Sequence, residues 1–185
     1  MNKINYQKEL DKIIDSLDGR VPTLLLHSCC APCSSYTLEY LSNYFDITVY
    51  YYNPNISPKT EFDKRFGEQK RLIASLPVKH EIKLVEGDYN YSDFSEIAKG
   101  FEDAKEGGER CFRCYKLRLE KSAHLAKEQG FDYFCTTLSI SPLKNSQKIN
   151  EIGLEVAEKY GVKWLPSDFK KKEGYKQSVE LSKEY

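Results

Sequence analysis

The residues best able to do chemistry in this chain are its cysteines, and all but one of the six stand in two tight groups. Cys29-Cys30-Ala31-Pro32-Cys33 is the first and Cys111-Phe112-Arg113-Cys114 the second. Thiolates spaced by two residues can hold one metal centre. Two such groups converging supply the four sulfurs that a zinc ion or a [4Fe–4S] cluster takes. Adjacent cysteines such as Cys29 and Cys30 fit awkwardly around a single tetrahedral ion, whereas a cluster offers each thiolate its own iron corner. An iron–sulfur cluster on Cys29, Cys30, Cys111 and Cys114 is therefore favoured, with zinc left open. Inert burial, common for free cysteine, explains two dense groups poorly but suits the isolated Cys135 in its β-rich run. Cys33 is left over once four sulfurs hold a cluster. It could bind a second, mononuclear iron, with Asp168 adding an oxygen ligand, or serve as a redox thiol. Thiol–disulfide exchange through Cys30 and Cys33, or Cys111 and Cys114, is a further option.

The elements that must position these groups alternate along the chain. Leu24-Leu25-Leu26 within residues 21–27 is a short apolar run suited to a strand buried on both faces. The first cysteine group follows it directly, with Pro32 in the first turn of a helix reaching residue 44. Further strands are expected at 47–52, 81–85, 131–138 and 162–165, and further helices at 5–17, 59–75, 91–99, 114–129 and 147–160. This pattern predicts one α/β domain over residues 1–185, a three-layer, mostly parallel sheet flanked by helices. Ligands would bind at the carboxyl ends of the strands. A helix start there adds positive potential, which favours thiolate.

Composition narrows the setting. Lys plus Arg and Asp plus Glu number 28 each, so no global field draws the chain to nucleic acid, and such a partner must be met by a local patch. The apolar runs are far too short for a membrane span, and the amino terminus lacks a signal peptide's apolar core. A cytoplasmic location is expected, with neither membrane nor DNA as partner. In a reducing compartment six cysteines are better read as metal ligands or redox groups than as disulfides.

Together these segments closely resemble the QueH-type epoxyqueuosine reductases. The resemblance rests on His27-Ser28-Cys29-Cys30-Ala31-Pro32-Cys33, on Tyr52-Asn53-Pro54-Asn55-Ile56 with Glu61 and Arg65, and on Arg110-Cys111-Phe112-Arg113-Cys114 with Arg118. Thr136-Thr137-Leu138, Ser141-Pro142, Lys144 and the run from Trp164 to Lys171 with Gly174 complete it. It implies a fold similar to the PP-loop/HUP nucleotide-binding fold, with the cysteine turn standing where those enzymes carry a phosphate loop. No Gly-rich cradle is present, so ATP use is not expected.

It implies, too, reduction of epoxyqueuosine in the tRNA anticodon loop to queuosine, a [4Fe–4S] cluster on Cys29, Cys30, Cys111 and Cys114, and an unidentified electron donor. An iron on Cys33 and Asp168 would act on the epoxide oxygen as a Lewis acid, with His27 and Tyr115 as candidate proton donors. Arg65, Arg71, Arg110, Arg113, Arg118, Lys144, Lys170, Lys171 and Lys172 are candidates for phosphate contacts. Family members often continue past a residue like Tyr185 into a Cys-Gly-Cys pair; this sequence stops at Tyr185 and does not include that pair, which leaves open either a member that works without it or a longer chain. The competing classes are a zinc-stapled tRNA-binding module and another cluster-dependent tRNA-modifying enzyme.

Overall fold

Leu24, Leu25 and Leu26 have no exposed surface, because the strand that carries them lies at the centre of the sheet. The computed structural model describes residues 4–104, 108–141, 144–171, 174, 176, 177 and 180. Its strands are β1 (Thr23–His27), β2 (Asp46–Tyr51), β3 (Lys83–Glu86), β4 (Tyr133–Thr136) and β5 (Lys163–Trp164). They form one sheet in the order β3-β2-β1-β4-β5, and every neighbouring pair is parallel. Leu24 lies opposite Ile47 on one side and Tyr133 on the other; His27 lies opposite Tyr50 and Thr136.

The helices are α1 (Tyr6–Ser16), α2 (Ala31–Leu41), α3 (Lys59–Ser75), α4 (Tyr91–Ala98), α5 (Glu109–Gln129) and α6 (Ser146–Tyr160), with a 3-10 turn at Leu138–Ile140. They flank the sheet as the alternation required, α2 beside α3 and α5 beside α6. The winding runs β1 to β3 in one direction and then returns past β1 to add β4 and β5. The loops after β1 and β4 therefore part from each other, and a crevice opens at their carboxyl ends.

Local chemistry sets the helix ends. Asn5 and Asn145 accept from the Lys8 and Lys148 backbone N–H groups and so cap α1 and α6. α6 stops at Gly161, whose φ of 70° is a left-handed conformation that glycine adopts freely. Two boundaries differ from expectation by three residues or more. α5 begins at Glu109 rather than 114, with Gly108 at its cap, so Cys111 and Cys114 stand inside the helix and not in a preceding loop. α2 ends at Leu41 rather than 44, because the N–H groups of Tyr44 and Phe45 turn back to the Leu41 carbonyl.

Candidate metal centre

Sulfur is concentrated at the crevice. β1 runs into Ser28, whose N–H donates to the Tyr50 carbonyl at 3.1 Å, and α2 starts three residues later. Cys30 is extended at the helix cap (φ −168°) and Cys33 lies in the first turn. This brings the sulfurs of Cys29, Cys30 and Cys33 all within 4.8 Å of one another. Those of Cys29 and Cys30 are 3.9 Å apart.

Three elements shape this turn. From α3, Gln69 accepts from the Ser28 hydroxyl at 2.9 Å and exchanges hydrogen bonds with Ser34. From the end of β2, Asn53 donates to the Ser28 carbonyl at 2.9 Å. From the end of β4, the Thr137 hydroxyl approaches Cys29 sulfur at 3.9 Å. Sequence reasoning missed Gln69 altogether, since a glutamine in a highly charged helix carries no sign that it is buried.

Crowding decides the protonation of the trio. Thiols of Cys30 and Cys33 both donate to Cys29, and the Arg118 guanidinium adds favourable charge, so the Cys29 thiol is held well below its usual range. The hydrogen bond to Cys29 pushes Cys30 up to about 12, and Cys33 is pushed further up by the same two neighbours. Sulfurs this close cannot all ionise unless a cation joins them. A donor set of that kind fits a soft metal centre.

Cys111 and Cys114 are not part of this 4.8 Å group. They are tied to it through side chains. Arg118, one turn beyond Cys114, donates from Nε to the Cys114 carbonyl at 3.4 Å and from Nη1 to Asn53 Oδ1 at 3.3 Å, and Asn53 in turn holds Ser28. These bonds tie the Cys114 turn of α5 to the end of β2 and to the start of the first cysteine turn.

The other sequence candidates have defined places. His27 is buried, with Nε2 2.9 Å from the Tyr52 carbonyl and Nδ1 2.9 Å from the Thr136 hydroxyl. A carbonyl only accepts, so Nε2 carries the proton and Nδ1 accepts from Thr136, which is free to accept from the Leu138 N–H at 3.2 Å. Burial first, then Arg118, lowers the imidazole to about 4, so the ring is neutral. Tyr115 is buried, its ring 5.9 Å from the Arg118 guanidinium and 5.8 Å from the Lys144 ammonium.

Asp168 is buried too, but it accepts from Ser146 Oγ at 3.0 Å and pairs with Lys170 at 3.2 Å. It does not join Cys33 in the metal-sized group, because its carboxylate braces the start of α6. Asn150 completes that brace, donating to the carbonyls of Ser146 and Ser167 and accepting from Trp164 and the Ser167 N–H. Cys135 is buried against the Leu165 carbonyl, its thiol pushed up to about 12 by burial, as a core residue should be.

Comparison with known proteins now settles the kinship. The family model described as "Epoxyqueuosine reductase QueH" matches residues 24–185. The chain belongs to that family. A Staphylococcus epidermidis epoxyqueuosine reductase QueH is 47% identical over 99% of this chain and 79% of its own length. The Streptococcus pyogenes protein of the same description is 45% identical, covering 99% and 73%. A more distant one from Thermotoga maritima is 35% identical over 88% and 82%. The crystal structure of a predicted subunit of tRNA methyltransferase from Methanocaldococcus jannaschii shares the fold, with a TM-score of 0.53 at 14% identity over 87% of this chain and 76% of that one.

Within this QueH-family chain the basic candidates fall into separate sets. Arg65 pairs with Glu61 at 2.8 Å, Arg110 donates to the Glu102 carbonyl at 2.7 Å, and Arg113 stacks on Phe101 at 4.2 Å. These last two staple the segment after α4 onto α5. Arg118 is interior rather than on a phosphate-facing surface. Lys144, Lys170 and Lys171 line an open cavity of about 410 Å³ at the start of α6, together with Asn145, Ser146, Gln147 and Asp168. Pro142, Lys172 and Tyr185 lie outside the described residues. No described helix is long and apolar enough to cross a membrane.

Proposed function

We propose that the chain reduces epoxyqueuosine in the tRNA anticodon loop to queuosine, with a [4Fe–4S] cluster held by Cys29, Cys30, Cys111 and Cys114. The observation that carries this reading is the group of three sulfurs within 4.8 Å at the sheet's switch point, in a chain of the QueH family. Zinc would be closed by thiolates and redox-silent, so it supports the reaction class poorly. When bound, a cluster supplies electrons one at a time.

Removing the epoxide oxygen as water consumes two electrons and two protons, and the electrons come from a donor of reducing potential. The chain's own groups have the remaining roles. Tyr115, flanked by Arg118 and Lys144, is the better placed proton donor, since the His27 N–H is committed to the Tyr52 carbonyl. Cys33 supplies the third thiol beside Cys29. A separate iron on Cys33 and Asp168 would require Asp168 to leave Ser146 and Lys170. Lys144 and Lys171, with the amino-terminal end of α6, present positive charge to the phosphates that flank the splayed base.

Anaerobic incubation with tRNA carrying epoxyqueuosine and a chemical reductant, read by nucleoside mass spectrometry, tests the activity. Iron and acid-labile sulfide are expected in the purified protein, and both iron and turnover should be lost in Cys29→Ala, Cys30→Ala, Cys111→Ala and Cys114→Ala. Zinc without sulfide would leave a tRNA-binding module as the reading. A variant that keeps iron and activity removes that cysteine from the ligand set.

A further inference from the structure

One charge at the crevice has no anionic partner in the account above. Arg118 is 4% exposed, and among the described residues no carboxylate pairs with it. Of the five N–H donors of its guanidinium, two meet described acceptors, the Cys114 carbonyl and Asn53 Oδ1, both at long distances of 3.4 and 3.3 Å. Guanidinium does not shed its proton, and a buried cation without an anion is strongly unfavourable. Something negative must therefore meet it in the working protein. The groups beside it that can become anionic are sulfurs: Asn53 couples it to Ser28, the residue before Cys29, its charge favours thiolate at Cys29, and its own helix carries Cys114 one turn back.

We propose that Arg118 is the buried counter-charge of the sulfur-held metal centre, stabilising the more negative, reduced form and so raising its reduction potential. This rests on the reading that Cys29, Cys30, Cys111 and Cys114 hold that centre. It makes Arg118 a positioning residue that acts through the centre and has no part in gripping phosphate. Net charge and neighbouring donors are among the levers by which a protein sets such potentials.

The test uses wild type, Arg118→Gln, Arg118→Lys and Asn53→Asp, each reconstituted anaerobically with iron and sulfide. Metal and sulfide per chain, midpoint potential and the salt dependence of tRNA binding are then measured. Arg118→Gln should shift the midpoint to more negative values and leave the salt dependence unchanged. Asn53→Asp sets a carboxylate beside an intact guanidinium and should shift the midpoint in the same direction. Arg118→Lys, which keeps the charge, should lie nearer wild type than Arg118→Gln. Midpoints at the wild-type value in both Arg118→Gln and Asn53→Asp, at full metal content, overturn the assignment. Should Arg118→Gln fail to fold, Asn53→Asp alone decides. A reduced salt slope in Arg118→Gln would instead place Arg118 on the phosphates and overturn it. Wild type that takes up no iron overturns the metal centre itself, and this role with it.

Discussion

His27 is bonded at both ring nitrogens to groups at the ends of the neighbouring strands, the Tyr52 carbonyl and the Thr136 hydroxyl. Replacing it with Leu would strand both in the interior, at roughly 1–3 kcal/mol for each group left unmet. Urea denaturation of metal-free His27→Leu should show a loss of about 2 kcal/mol or more; a loss near zero would mean that the ring only fills space. Its titration has a defined sign. The folded value of about 4 lies below the ordinary 6.5, so the unfolded chain binds the extra proton first. The contribution is complete above about pH 6.5 and fades as pH falls toward 4. Wild type should therefore lose more stability than the Leu variant between pH 7.5 and 5 in the same assay. At this scale the thiols were legible, because cysteine type and spacing state their own chemistry. Gln69 and the burial of Arg118 were not, since a polar side chain on a helix reads as solvated until its neighbours are known.

At the scale of the element, α6 docks by close approach. A Cβ added at Gly153 would overlap the ring of Trp164, the residue with which β5 ends. Gly153→Ala should cost about 1–3 kcal/mol through overpacking, despite the better helix propensity of alanine. A thermal melt with an unchanged midpoint would show that the helix can shift to make room. The period of apolar residues placed most helices and strands correctly, because burial on one face leaves that period in the sequence. It failed at the start of α5, where Glu109, Arg110 and Arg113 look like loop residues. Arg113 lies over the Phe101 ring and donates to the Ile97 carbonyl, Arg110 donates to the Glu102 carbonyl and Glu109 pairs with Arg113, which single-residue polarity does not show.

For the whole molecule, a zero net charge leaves recognition to local features such as the cavity lined by Lys144, Lys170 and Lys171. Binding to tRNA should weaken steeply with salt, and Lys144→Gln or Lys171→Gln should each reduce the log–log slope by about 0.7, the value for a single-stranded phosphate contact. An unchanged slope in both would move the RNA elsewhere. Lys170, tied to Asp168 and to the Ser139 carbonyl, should matter more for stability than for slope. The parallel α/β architecture followed from strand and helix alternation, but the order of strands did not, because it depends on which loops cross the sheet. That order has a further consequence for biogenesis. The turn carrying Cys29 and Cys30 is synthesised early, yet its shape depends on partners 25, 41 and 108 positions later in the chain. A ribosome must release almost three quarters of the polypeptide before the thiols have this geometry, so a metal offered to a shorter nascent chain would meet these cysteines without the partners that shape their turn.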